Sequence, residues 1–181
     1  MTRNLEEPTA QEIAIKTIIT HTVTYFIAGV LAFAVFDYQH LYAETNLKYL
    51  MRPTTDSLVL AGPLFQPIRG MMFGMVFFIL RRSFFSQSKG WLLMWVVLVC
   101  LGILGTFGPA PSSLEGTIYT ILPLRLHLIG LPEVLLQSFL LSFIVFYWVK
   151  TPKKWLTWSM SSVFVLVLLL SLMGLLSGHR R

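Results

Sequence analysis

Five apolar stretches, residues 13–36, 58–80, 91–107, 124–149 and 155–177, approach or exceed the length of about 20 residues that a helix needs to cross a bilayer core. In hydrocarbon every backbone N–H and C=O must find a partner within the protein. For a chain with no alternating strand pattern, that leaves helices. The expected fold is therefore all-α, a polytopic transmembrane helical bundle of about five spans. Composition agrees: 55% of residues are hydrophobic and only 12% charged.

The first stretch has a cleavage-like Ala32-Phe33-Ala34, but Glu6, Glu7 and Glu12 stand where a signal peptide would carry a basic patch. A retained helix is expected instead. Thr9 and Glu12 have capping-box spacing and mark its start. The chain divides into a cytoplasmic N-terminal segment (1–12), one transmembrane domain (13–177) and a basic tail (178–181).

Basic residues gather in two short connections, Arg81, Arg82 and Lys89 in one and Lys150, Lys153 and Lys154 in the other. The positive-inside rule puts both in the cytoplasm, with the N-terminus, in a membrane of bacterial inner-membrane type. Five spans then leave His179-Arg180-Arg181 outside, against the same rule, a conflict that vanishes if the last segment does not fully cross. Tyr147, Trp148, Trp155 and Trp158 flank the second basic connection as an interfacial belt would. In the first outer connection, residues 37–56 mix Tyr38, Leu41, Tyr42 and Leu47 with charges, which predicts a helix lying in the interface until Arg52-Pro53 ends it. In the second, Pro109 to Ser112 forms a loop, followed by a short helix that Pro123 interrupts.

Polar groups at depth carry the functional information. Gln66 and Arg69 share one face of the second segment, and Glu133 and Gln137 lie one turn apart in the fourth. Arg69 is about 12 residues, or 18 Å, from the Arg81 boundary. An unpaired charge at that depth costs about 2.5 to 3.5 kcal/mol, so an Arg69–Glu133 ion pair is expected, with the two amides satisfying what the ions leave free. Such a group either fastens two helices together or lines a hydrated cavity. Pro63, Pro67, Pro123 and Pro132 interrupt backbone hydrogen bonding beside these residues. Pro132-Glu133 also reads as the first turn of a helix, in which case the fourth span is only 132–149 and residues 117–130 form a re-entrant or surface segment. Glu115, Arg125 and His127 would then line an outer vestibule.

Other residues have plainer readings. Thr17, His21 and Thr24 make a polar face on the first helix, with His21 as an interhelical hydrogen-bonding group. Asp37, His40 and Glu44 have ligand-like spacing but sit in an amphipathic connection, so a solvated face is expected and no metal site is assigned. Met71, Met72 and Met75 are filler or lipid contact, and Gly102, Gly105 and Gly108 are expected to permit close helix packing. The single Cys100 allows no intramolecular disulfide and no paired-thiol metal site.

The sequence contains no P-loop, HExxH, rhomboid-type serine motif, acidic phosphotransferase pattern or paired haem histidines, and no catalytic residue or cofactor is assigned. With no basic stripe interleaved with aromatics, nucleic acid is not an expected partner. Expected partners are membrane lipids and a second copy or a heterologous membrane subunit, for which the apolar run 163–170 offers a surface. The leading functional expectation is handling of a small solute, ion or lipid through the Arg/Glu/Gln core. The alternatives are an accessory or assembly subunit, and a membrane-embedded enzyme acting on a lipid-linked or amphiphilic substrate with Glu133 as acid or base.

Overall fold

A computed structural model describes residues 7–38, 41 and 51–178, and all regular structure among them is helical. The helices are α1 (Ala10–Phe36), α2 (Ser57–Leu60), α3 (Gly62–Ile79), α4 (Arg81–Phe85), α5 (Gly90–Val99, continued by a π-turn, Cys100–Leu104), α6 (Leu114–Tyr119), α7 (Leu124–Lys150) and α8 (Lys154–Gly178). The interfacial helix expected over 37–56 falls mostly outside the described residues, as do His40 and Glu44.

Among the described residues three helices are long and apolar enough to cross a membrane: Ala10–Phe36, Leu124–Lys150 and Lys154–Leu176. The other two expected spans are shorter. The second is divided at Ala61, because Pro63 in the first turn of α3 has no N–H to continue the ladder from α2. The third, Gly90–Leu104, ends in its π-turn before reaching Phe107. At 1.5 Å per residue α3 is about 27 Å long and Gly90–Leu104 about 22 Å, against a hydrocarbon core of about 30 Å.

Local sequence explains most of the ends. Thr9 caps α1, its hydroxyl accepting from the Glu12 N–H at 3.2 Å, while the Glu12 carboxylate turns to Lys16 instead of back to the cap. Asp56 caps α2 in the same way. Its carboxylate accepts from the Leu58 N–H at 2.8 Å and from Arg52 at 3.1 Å, and these two donors hold its pKa below the usual carboxylate value. The helix α7 starts at Leu124, with Pro123 as its cap, and runs through Pro132 without breaking. The shorter fourth span, beginning at Pro132, is therefore not what folds. One proline deletes one ladder bond, and the two turns before it are apolar enough to continue the helix.

At the centre, α1 packs against α3, α7 and α8, while α5 covers another side of α7, and α8 also touches α2 and α3. The α1–α3 approach is close enough to bring backbones into contact. A Cβ added at Gly70 would lie 2.8 Å from Ile18 Cα, and one at Gly74 would lie 3.0 Å from Ala14 Cα. Gly70 and Gly74 thus form a small-xxx-small seam that removes side chains from the interface. On the buried polar side of α1 two hydroxyls bond back to the helix, Thr17 to the Ile13 carbonyl at 2.7 Å and Thr24 to the Thr20 carbonyl at 2.8 Å, while the buried Thr20 hydroxyl has no partner among the described residues.

Near the basic connections the core is apolar, built from Ile13, Phe77, Phe84, Met94, Val145 and Phe146. Gly90 closes this end, since a Cβ there would lie 1.6 Å from the Phe84 carbonyl oxygen. Gly102 and Gly108, expected to permit close packing, have nothing within 4 Å of an added Cβ, and Gly105 meets only the Cys100 carbonyl of its own π-turn. The close packing falls at Gly70 and Gly74 because α1, not another element, is the neighbour that approaches.

Candidate functional site

The deep polar residues meet at His21, in the middle of α1 and almost wholly buried. Its Nε2 lies 3.1 Å from Gln66 Oε1 on α3, and its Nδ1 lies 3.4 Å from Gln137 Nε2 on α7. The Gln66 amide orientation is fixed independently, because its Nε2 donates to the Gly62 carbonyl at 3.2 Å. Gln66 Oε1 therefore accepts from His21, so the imidazole carries its hydrogen on Nε2 and receives the Gln137 donor on Nδ1. One side chain thus joins three helices. Phe73 packs edge-on to the ring at a centroid distance of 5.0 Å.

The expected Arg69–Glu133 ion pair does not form. No carboxylate lies within 4.0 Å of Arg69 among the described residues, and its guanidinium sits 5.7 Å from the Phe73 ring centre. The Glu133 carboxylate instead accepts a short hydrogen bond from the Tyr38 hydroxyl, just beyond α1. The reason is neighbour order: α3 and α7 pack on α1 rather than on each other, so the two charges that the sequence places at similar depth lie apart across a cavity. Gly29 marks this arrangement, since a Cβ there would lie 3.8 Å from Glu133 Oε1.

Arg69 and Glu133 nonetheless face the same space. A cavity of about 360 Å³ is lined by His21, Tyr25, Arg69, Glu133 and Gln137, with Thr106 and Ser112 on its outer wall. Tyr25 is within electrostatic reach of both charges. Of the four deep residues singled out from sequence, Arg69, Glu133 and Gln137 line the cavity, and Gln66 is buried behind it against His21.

The proposed vestibule residues do not line this cavity. His127 is buried, and its Nδ1 accepts from the Ser112 N–H at 3.1 Å while its carbonyl accepts from the Ser112 hydroxyl at 2.6 Å. Its Nε2 stands 3.4 Å from the Thr120 hydroxyl. The ring thus fastens the proline-rich loop to α7 and holds Ser112 at a φ of 68°, a left-handed conformation that a non-glycine residue adopts only when it is over-determined. Arg125 is exposed, and Glu115 is half-buried in the first turn of α6, with no ion pair joining the two.

Sequence reasoning placed His21 on a polar face without identifying it as the junction, and it missed Tyr38 as the partner of Glu133. It also missed the α1–α3 seam, although the spacing of Gly70 and Gly74 was there to be read. Chemically the site offers one guanidinium, one carboxylate with a phenol, and amide groups around a cavity at the small end of the usual ligand-pocket range. Among the described residues no group of three or more His, Cys, Asp or Glu side chains is placed to hold a metal. No protein-family model, curated protein or solved structure matches this chain.

Proposed function

We propose that this chain is a five-span protein of a bacterial inner membrane, with its N-terminus in the cytoplasm, that binds a small anionic solute or amphiphile in the cavity beside Arg69. Helix direction supports the five-span reading. Ala14 opposite Gly74 and Tyr25 opposite Gly62 make α1 and α3 antiparallel, and Leu60 opposite Gly174 makes α8 antiparallel to the α2–α3 segment. Lys16 reaching the Trp148 carbonyl, and Trp95 reaching Ser138, do the same for α1 with α7 and for α5 with α7. The two short members are within what local bilayer thinning accommodates at modest cost.

The observation that carries the functional reading is Arg69 itself, an exposed guanidinium midway along α3 that lines the cavity and has no carboxylate within 4.0 Å among the described residues. A fixed cation at that depth costs about 2.5 to 3.5 kcal/mol and is retained at least cost where an anion neutralises it. The guanidinium fork matches a carboxylate or phosphate through two parallel hydrogen bonds. Gln137 on the other side of the cavity offers an amide to such a ligand, and the Glu133 carboxylate, held by Tyr38, would accept from a donor elsewhere on it.

The test is native mass spectrometry of the protein gently extracted from its own membrane, comparing wild type with Arg69→Ala. Wild type is expected to retain a small anionic molecule, and the variant to lose it by about tenfold or more, the scale of one charge-assisted bidentate contact. Identical spectra from two equally folded proteins would sink the reading. A stoichiometric protein partner with no retained solute would favour the accessory-subunit role instead.

A further inference from the structure

A second cleft, of about 440 Å³, lies at the opposite end of the bundle, where both basic connections gather. Its rim carries Arg81, Arg82 and Lys150, and its floor is Phe85, Val149 and Pro152, the first two of these buried. Two carboxylates also line it. Glu12 is neutralised by Lys16, which leaves Glu7 facing three cations.

Glu7 is held in a revealing way. One of its oxygens lies 3.5 Å from Arg81 Nη2 and the other 3.2 Å from Arg82 Nε, so the two guanidinium groups straddle a single carboxylate, each taking one oxygen. A phosphodiester presents the same pair of charged oxygens. Arg81 is preset for this geometry by its donation to the Phe78 carbonyl at 3.2 Å and its stacking on the Phe78 ring at 4.4 Å. Lys150 is steadied likewise, by the Gln87 carbonyl at 3.3 Å and the Phe146 ring at 5.1 Å. Glu7 itself precedes α1 on non-helical chain, its side chain is 57% exposed, and among the described residues these ion pairs are its side-chain restraints. Exposed pairs of this kind are weak and readily exchanged.

We infer that this cleft binds the headgroup of an anionic phospholipid, with its phosphodiester on Arg81 and Arg82, and that Glu7 is an internal competitor occupying the same two arginines. Lipid is favoured over free phosphate by the apolar floor, which gives the first acyl carbons a surface beneath the charged rim. The position suits this occupant, since helix ends bearing basic residues lie at headgroup level and each Lys or Arg near an anionic surface strengthens binding. The N-terminal segment then acts as a latch: it clasps the basic connections when no anionic lipid is present and is released when one binds.

The experiment is titration of the full chain in nanodiscs with phosphatidylglycerol, with phosphatidylcholine as the zwitterionic comparison, counting retained lipids by native mass spectrometry. Glu7→Gln is expected to tighten phosphatidylglycerol binding about two- to fivefold, the range set by loss of one exposed ion-paired competitor. The double variant Arg81→Gln/Arg82→Gln is expected to weaken it by about tenfold or more. Phosphatidylcholine binding should not change in either. Unchanged phosphatidylglycerol affinity in Glu7→Gln overturns the competition, and a parallel change with phosphatidylcholine overturns the headgroup assignment. Displacement of the lipid by inorganic phosphate alone overturns the choice of lipid over the free ion. If the double variant does not fold, Lys150→Gln and Glu7→Gln decide the matter, because both positions lie on the rim.

Discussion

Gly70→Leu is expected to abolish the folded, monodisperse protein, and Gly70→Ala to destabilise it by about 1–3 kcal/mol, the usual cost of overpacking. The clash is with backbone, since the new Cβ would lie 2.8 Å from Ile18 Cα, and no rotamer change relieves contact with a main-chain atom. Alanine recovers up to about 1 kcal/mol through helix propensity, so the net loss with alanine measures how firmly α1 and α3 are held together. Gly102→Ala is the matched control. It adds the same methyl group to a helical turn with nothing within 4 Å, so it should leave stability unchanged or raise it by up to about 1 kcal/mol. Reversible unfolding in bicelles measures all three. Equal behaviour of the alanine variants at positions 70 and 102 would mean that the α1–α3 seam is looser than described.

His21→Ala is expected to cost about 1–3 kcal/mol, because it leaves the Gln66 and Gln137 amides without their shared partner and opens a space beside Phe73. Hydrogen bonds between membrane helices are individually modest, averaging about 0.6 kcal/mol, so the larger part of the loss should come from the two orphaned amides and the cavity. A double-mutant cycle separates these contributions. His21→Ala with Gln66→Leu should show a coupling of about 0.5–1.5 kcal/mol, and the cycle with Gln137→Leu a smaller one, in keeping with contacts of 3.1 Å and 3.4 Å. Strict additivity in both cycles would show that the ring fills space without joining the helices.

Depth along a helix follows from counting residues, and it placed Arg69, Glu133, Gln66 and Gln137 at neighbouring levels. Which helix stands next to which does not follow from counting: α3 and α7 pack on α1, which leaves Arg69 and Glu133 apart across a cavity and joins the two amides through His21. The same gap explains the glycines. Gly102 and Gly70 look alike in sequence, yet only Gly70 has another backbone against it. His127 looked like a vestibule residue because its position near the outer end was legible, whereas its fixing of Ser112 required the loop to fold back over α7.

By itself the sequence determined an all-helical chain with long apolar helices, the cap at Thr9, the short helix before Pro123 and the clustering of basic residues in two connections. These properties depend on composition, periodicity and local hydrogen bonding within a few residues. The tertiary structure decided the central place of α1, the cavity beside Arg69 and the clasp of Glu7 on two arginines. Each of these depends on which surfaces meet across the bundle. In a chain whose helices are apolar nearly all round, the hydrophobic pattern does not specify that choice, and backbone approach at Gly70 and Gly74 together with buried hydrogen bonds does.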